Sequence, residues 1–276
     1  MVRNAGIAEG AKHTLLWLLI LSAFFPLYLI VNISLKTNTQ FAENPWTPAP
    51  PFQWNNYVVG WQYVGENVFN TTYVAFMGTI LSLAVAVLGA FFFARFKMPG
   101  SNILFFVFVI VMLYPTIANM VPTFKLISSL GLYNSHWALI FLSVAGAQAF
   151  LIYVLRAFIE DLPRDLFDAA QIDGCSLIKQ IWHVVVPLCM PIIGVLFVLR
   201  LIANWNDFVG LSIMIRDQEK KMLSVSLLLL EGEYTKHWGE LMAGYTIASL
   251  PLIAIFCAGD EVVYSRVIGR GSQRIS

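Results

Sequence analysis

Arg200 lies inside an apolar run, residues 184–203, and Asn204, Asn206 and Asp207 follow it at once. A charge at the centre of a lipid-embedded helix costs about 2.5–3.5 kcal/mol on insertion scales, so an arginine there needs a reason. Two readings stand. Either the guanidinium lines a polar pathway, or it snorkels toward a nearby polar boundary. The other chemically equipped stretch is Asp161-Leu162-Pro163-Arg164-Asp165-Leu166-Phe167-Asp168-Ala169-Ala170-Gln171-Ile172-Asp173-Gly174, followed by Cys175-Ser176-Leu177-Ile178-Lys179-Gln180-Ile181-Trp182-His183. Neither stretch is equipped for bond-breaking. The sequence has no Gly-x-x-x-x-Gly-Lys-Ser/Thr loop to cradle nucleotide phosphates, no nucleophile–base pair and no metal-type cluster. Cys175, Cys189 and Cys257 lie far apart without paired spacing and read as small apolar side chains. The chemistry on offer is recognition.

The 161–183 stretch predicts a helical hairpin. Pro163 suits a first helical turn, where acidic residues also gain from the helix dipole. Phe167, Ala170, Gln171 and Gly174 fall at i, i+3, i+4 and i+7, one face of a helix. Asp173-Gly174 is a turn pair, and Leu177, Ile178, Ile181 and Trp182 then repeat with helical period. The small residues Ala169, Ala170 and Gly174 would let a partner's surface come close to the backbone. A protein-docking element is the favoured reading, with a helix lying on the lipid surface as the other.

What must position these groups is set by composition. Of 276 residues, 58% are hydrophobic and 12% charged, against about 25% charged in soluble domains. Six apolar segments are marked, at about 14–33, 73–93, 103–121, 137–158, 184–203 and 241–258. Backbone groups in lipid must be satisfied within each segment, which makes these helices. The alternation of a membrane barrel is absent. The first segment is too long for a signal-peptide core and reads as a retained span. With both ends inside, the inner pieces hold Arg3, Lys12, Arg95, Lys97, Arg156, Arg164, Lys179, Arg266, Arg270 and Arg274. The outer pieces hold Lys36, Lys125, Arg216, Lys220, Lys221 and Lys236. That is a modest inside excess, so charge orients the chain only in part. Residues 36–70, with Pro45, Pro48, Pro50 and Pro51, read as an outer interfacial loop. The net charge of +1 and the lack of a basic stripe give no reason to invoke nucleic acid.

Asp168-Ala169-Ala170, Gly174 and Pro187 at the end of Val184-Val185-Val186-Pro187 resemble the Glu-Ala-Ala loop of ABC importer permeases, with Asp168 in the place of Glu. Further pieces are similar to the carbohydrate branch, especially the maltose-type second membrane subunit. They are Ser34-Leu35-Lys36, Phe93-Ala94-Arg95-Phe96, Pro99-Gly100, Gly131-Leu132, Asn204-Trp205-Asn206-Asp207-Phe208, Trp238-Gly239, Ala243 and Leu250-Pro251. The end of the chain departs from that family at Gly259-Asp260-Glu261, Arg266, Gly269, Arg270, Gly271 and Ser276.

The resemblance implies the type I importer permease fold: one all-α membrane domain over 1–276, six transmembrane helices, and a cytoplasmic helix-turn-helix coupling loop at 159–183. It implies a non-enzymatic transport subunit of the bacterial inner membrane, with both termini cytoplasmic. Its partners would be a second homologous permease, two ATPase subunits that bind ATP and magnesium, and an extracytoplasmic solute-binding protein. No cofactor would be held by this chain. Asp168, Ala169, Ala170, Asp173 and Gly174 would couple to an ATPase subunit. Tyr114, Asn119, Asn204, Trp205, Asn206 and Asp207 offer the aromatic faces and hydrogen-bonding groups that sugars take, and packing between helices is their other reading. A non-sugar solute such as a phosphorylated polyol is the alternative cargo. A secondary transporter is the more distant one, since no internal repeat or mid-span acid is evident.

Overall fold

The computed structural model describes residues 2–96, 98–113, 119–207, 213–231 and 237–271. All its regular elements are helical: α1 (Val2–Ser34), α2 (Asn38–Glu43), α3 (Asn55–Arg95), α4 (Ser101–Val111), α5 (Met120–Ser129), α6 (His136–Glu160) and α7 (Arg164–Ile172). These are followed by α8 (Leu177–Gln180), a π-turn (Ile181–Val185), α9 (Val186–Asn206), a 3₁₀ turn (Gln218–Lys220), α10 (Leu223–Glu231) and α11 (Trp238–Gly271). Among the described residues, five stretches are long and apolar enough to cross a membrane: Lys12–Ser34, Asn55–Arg95, His136–Glu160, Leu177–Asn206 and Trp238–Ile255.

α1 and α11 run beyond the expected first and sixth segments, starting at Val2 and ending at Gly271, and three further differences bear on the site. The third apolar segment is not one helix: α4 has 11 residues and ends at Val111, and α5 starts anew at Met120. Met112 and Leu113 already form a turn, and Pro122 falls in the first turn of α5, where its missing N–H is harmless. The second span is far longer than 73–93. α3 begins at Asn55, so the second half of the expected outer loop is helix. The second helix of the hairpin is no separate element. α8 runs through the π-turn into α9. Pro187 cannot donate to the carbonyl four residues back and its ring crowds that group, a conflict that the widened turn just ahead of it relieves.

The chain divides into two compact units, and the division falls within α3. The first comprises Met1–Glu66 and Ser226–Leu250. Here α1 presents Leu15, Trp17, Leu18, Leu21 and Phe24 to its surroundings, as a lipid-facing helix does. Its C-terminal end is tied down by polar groups. Lys36 is only 1% exposed, and its Nζ donates to the carbonyls of Asn44 and Thr47, each at 2.6 Å. Burial pushes its ammonium below the usual lysine range. Asn56 Nδ2 donates to the carbonyls of Ser34 and Lys36 at 2.9 and 3.0 Å. Gly239 packs so closely on the Lys36 carbonyl and Asn56 that a Cβ there would collide with both. Ser34-Leu35-Lys36 and Trp238-Gly239, distant in sequence, thus meet in one knot. Lys36→Met removes a buried cation's hydrogen bonds to two backbone carbonyls and is expected to cost about 1–3 kcal/mol. Thermal unfolding in detergent checks this, with the exposed Lys125→Met as a near-neutral control.

The second unit comprises Asn67–Val225 and Pro251–Ser276. Its larger core joins Leu83, Val87, Ala90 and Phe91 of α3 to Leu151, Ile152, Leu155 and Ile159 of α6, Phe167 of α7, and Val185, Cys189 and Leu196 beyond. Glycines let α3 and α6 approach: a Cβ on Gly89 would lie 2.7 Å from Ile152 Cδ1, and one on Gly78 2.9 Å from Ser143 Oγ. Such close crossings through small residues are how membrane helices associate when lipid removes the hydrophobic incentive. The charged segment after α9 is pinned by Asn134, whose Oδ1 accepts from the N–H groups of Arg216 and Asp217 at 3.0 and 3.1 Å. Asn134 Nδ2 and Lys220 Nζ donate to Asp217, holding its carboxyl below the usual carboxylate range.

Candidate functional site

Two polar sites occupy the second unit. The first is a junction among three helices. Arg200 of α9 turns onto α6, where its Nη2 donates to Ser143 O at 2.7 Å and Ser143 Oγ at 2.9 Å. Ser143 Oγ donates to Asn204 Oδ1 at 2.8 Å, and Asn204 Nδ2 donates to Thr79 Oγ1 at 3.1 Å. Gln148 Nε2 reaches Ser82 O at 3.2 Å and Val144 O at 2.7 Å. The arginine is therefore not snorkelling along its own helix. It is part of an interhelical hydrogen-bond network, the usual means by which polar groups inside a membrane are tolerated. Arg200 Nε and Gln148 Oε1 remain buried without a hydrogen-bond partner.

The sequence-expected pathway residues part company around this junction. Asn204 is buried with both ends of its amide engaged, and Trp205 beside it is 6% exposed. Asn206, Asp207 and Asn119, the N-cap of α5, are exposed. Tyr114 and Phe208 lie outside the described residues, as do Lys97, Lys236 and Arg274 and the side chains of the atypical end from Ala258 onward. Sequence reasoning passed over Thr79, Ser82, Ser143 and Gln148. Their signal was available, because each is a polar side chain within an apolar span.

The second site is the corner at Gly174. α7 ends in a Schellman cap: Cys175 N–H donates to Ala170 O at 2.9 Å and Gly174 N–H to Gln171 O at 3.0 Å. That cap needs a left-handed residue, which Gly174 supplies with φ +75°. Of the nine residues of α7 only Phe167 is buried. Asp168, Ala169 and Asp173 are exposed, Ala170 is half-buried, and Ile172 is 86% exposed. Leu177, Ile178 and Trp182 extend this open apolar surface. A cleft of about 390 Å³ opens beside the corner, lined by Arg95, Phe167, Asp168, Gln171, Ser176 and Gln180 among others. Among the described residues no group of His, Cys, Asp and Glu is placed to hold a metal ion.

Long apolar helices stitched by an internal polar junction, with an exposed capped corner between two of them, are the features of a polytopic membrane protein. Residues 78–269 match the family described as binding-protein-dependent transport system inner membrane component. The sequence is 29% identical over 258 residues to the sulfoquinovosyl glycerol transport system permease SmoH of Agrobacterium fabrum, covering 92% of this chain and 90% of that protein. It is 25% identical over 238 residues to the melibiose/raffinose/stachyose import permease MelC of Bacillus subtilis, covering 85% and 86%. Among solved structures, a bacterial ABC transporter involved in the import of the acidic polysaccharide alginate superposes with a TM-score of 0.79 at 20% identity, over 94% of this chain and 97% of that one. The chain belongs to the binding-protein-dependent transport family and is a membrane permease subunit of an ABC importer.

Proposed function

We propose that this subunit translocates a carbohydrate, driven by ATP hydrolysed on two separate ATPase subunits that hold the ATP and magnesium, while the chain itself carries no ATPase site and no cofactor. It pairs with a second homologous permease, receives its solute from an extracytoplasmic binding protein, and keeps both termini in the cytoplasm. The observation that carries the reading is the corner at Gly174. It offers Asp168, Ala169, Ala170 and Asp173 on a capped helix whose outer face none of the described residues covers. Docked in a cleft of an ATPase subunit, the corner moves when the ATPase pair closes, and differential contacts in the two states supply the coupling energy. Relatives named for sugar import support the cargo class.

Along the solute path, Asn119, Asn206 and Asp207 supply accessible hydrogen-bonding groups, with Tyr114 added on its chemistry alone. Asn204 and Trp205 hold the end of α9 in place for them. Isolating the complex from its native membrane tests the proposal. A stoichiometric ATPase, a second permease, and ATP turnover raised by one sugar-loaded binding protein are expected. A chain that purifies alone, without ATPase activity, would overturn it. Stimulation by a phosphorylated polyol and by no sugar would replace the cargo.

A further inference from the structure

One side chain of α7 is buried in its unit. Phe167 is 2% exposed and is the single buried residue of the helix. The cleft beside it leaves the neighbouring face of α7 without support. What closes over Phe167 is Arg95, the last residue of α3, whose guanidinium carbon stands 3.8 Å from the ring centroid. Phe91, one turn earlier on α3, lies 6.3 Å from the same ring, centroid to centroid. A cation over an aromatic face is attracted by the ring quadrupole, and more strongly where water is excluded. The charges of α7 act on the same group, Asp168 attracting the guanidinium and Arg164 repelling it. Any rotation of α7 therefore changes both the ring contact and the charges that Arg95 meets.

Beyond Phe167 and Phe91 the contact continues through rings. Phe91 and Phe92 pack on Phe96 at 6.3 and 5.6 Å. Phe93 packs on Phe105 and Phe108 of α4 at 5.6 and 5.8 Å. Phe105 meets Tyr153 of α6 at 6.2 Å, and Arg156 of α6 lies 4.0 Å over the Phe105 ring while pairing with Glu160 at 2.7 Å. The corner thus has two connections to the bundle. One is covalent, through α8 and the π-turn into α9. The other is a set of side-chain contacts into α3, α4 and α6, and it begins at Phe167, which meets α3 through both Arg95 and Phe91.

We propose that Arg95, seated on Phe167, is a positioning residue that latches α7 to α3, so that displacement of the docked corner moves α3, α4 and α6 together with α9. The proposal rests on the docking reading of the corner. The complete importer, reconstituted in proteoliposomes with its binding protein and its own solute, provides the test. The quantity to measure is solute imported per ATP hydrolysed, which a lower amount of assembled complex does not change. Arg95→Met keeps much of the side-chain volume but removes the charge, and should lower that ratio on the order of fivefold or more, a usual size for coupling between sites.

Arg95→Lys, which keeps a cation over the ring, should fall between the two. Phe167→Leu should lower the ratio as well, and Arg95→Met combined with Phe167→Leu should be no worse than the worse single change, because both remove one contact. Should Arg95→Met fail to assemble, Arg95→Lys and Phe167→Leu carry the same cycle. An unchanged ratio in the Arg95 variants, or additive losses in the double variant, overturns the latch. Gly174→Val, which leaves Arg95 and Phe167 in place, separates the two ideas. If it lowers the ratio while the Arg95 variants do not, only the latch falls; if it too is without effect, the docking reading fails.

Discussion

Gly174→Val leaves the permease in the membrane in normal amount but lowers solute uptake by the assembled importer, roughly fivefold or more. Two facts set this expectation. Gly174 sits at φ +75°, where a side chain with a Cβ costs about 1–2 kcal/mol and a β-branched one fits worst. A Cβ built there meets nothing within 4 Å, so this chain itself has room for the valine. The damage is then confined to the corner. Its cap opens or shifts, and the new side chain projects where a docked partner's surface would come. Uptake of labelled solute, normalised to permease detected in the membrane, measures the effect. Normal uptake would show that neither the left-handed corner nor its bare surface matters for coupling.

Gly78→Val is expected to have the largest effect on folding. The first added carbon would lie 2.9 Å from Ser143 Oγ and 3.3 Å from Asn204 Nδ2. Overpacking of this kind costs about 1–3 kcal/mol. Here the displaced atom is also the one that receives Arg200 and donates to Asn204. A buried polar group left without its partner costs about 1–3 kcal/mol more, and a charged one exceeds that. The sum is a large share of the stability of a typical domain. Recovery of monodisperse protein in mild detergent and its melting temperature should both fall sharply. Gly146→Val, on the same α6 that carries Ser143, is the control. Its Cβ would meet nothing within 4 Å, so it should behave nearly as wild type. Equal stability of the two variants would mean that the α3–α6 crossing tolerates separation and that the junction is not what holds it.

Hydropathy read from the sequence located the apolar helices, because a run of about 20 apolar residues has few other places to go. The corner was legible for a similar reason. Asp173-Gly174 after a helical period is a local signal, and the Schellman cap is built from residues within one turn of it. Even Lys36 was visible as part of a motif, though not as the buried cation that ties the end of α1. The helix limits were less legible. α3 starts 18 residues before the apolar segment that announced it, since its first turns are polar and aromatic rather than apolar.

The partners of Arg200 and Arg95 were decided by the tertiary structure alone. Ser143 stands 57 residues from Arg200 along the chain, and Phe167 is far from Arg95 in sequence. In a soluble protein the apolar stripe of a helix tells which face turns inward. In a membrane protein lipid is as apolar as the core, so the stripe is faint and the rotation of each helix goes unannounced. Small residues and stray polar ones, Gly78, Ser143, Asn204 and Arg200 among them, set that rotation, and they do so only where helices from distant parts of the sequence cross. The sequence by itself therefore determined that this chain enters a membrane and carries an exposed capped corner. Which side chains join its helices into a machine was settled by the crossings.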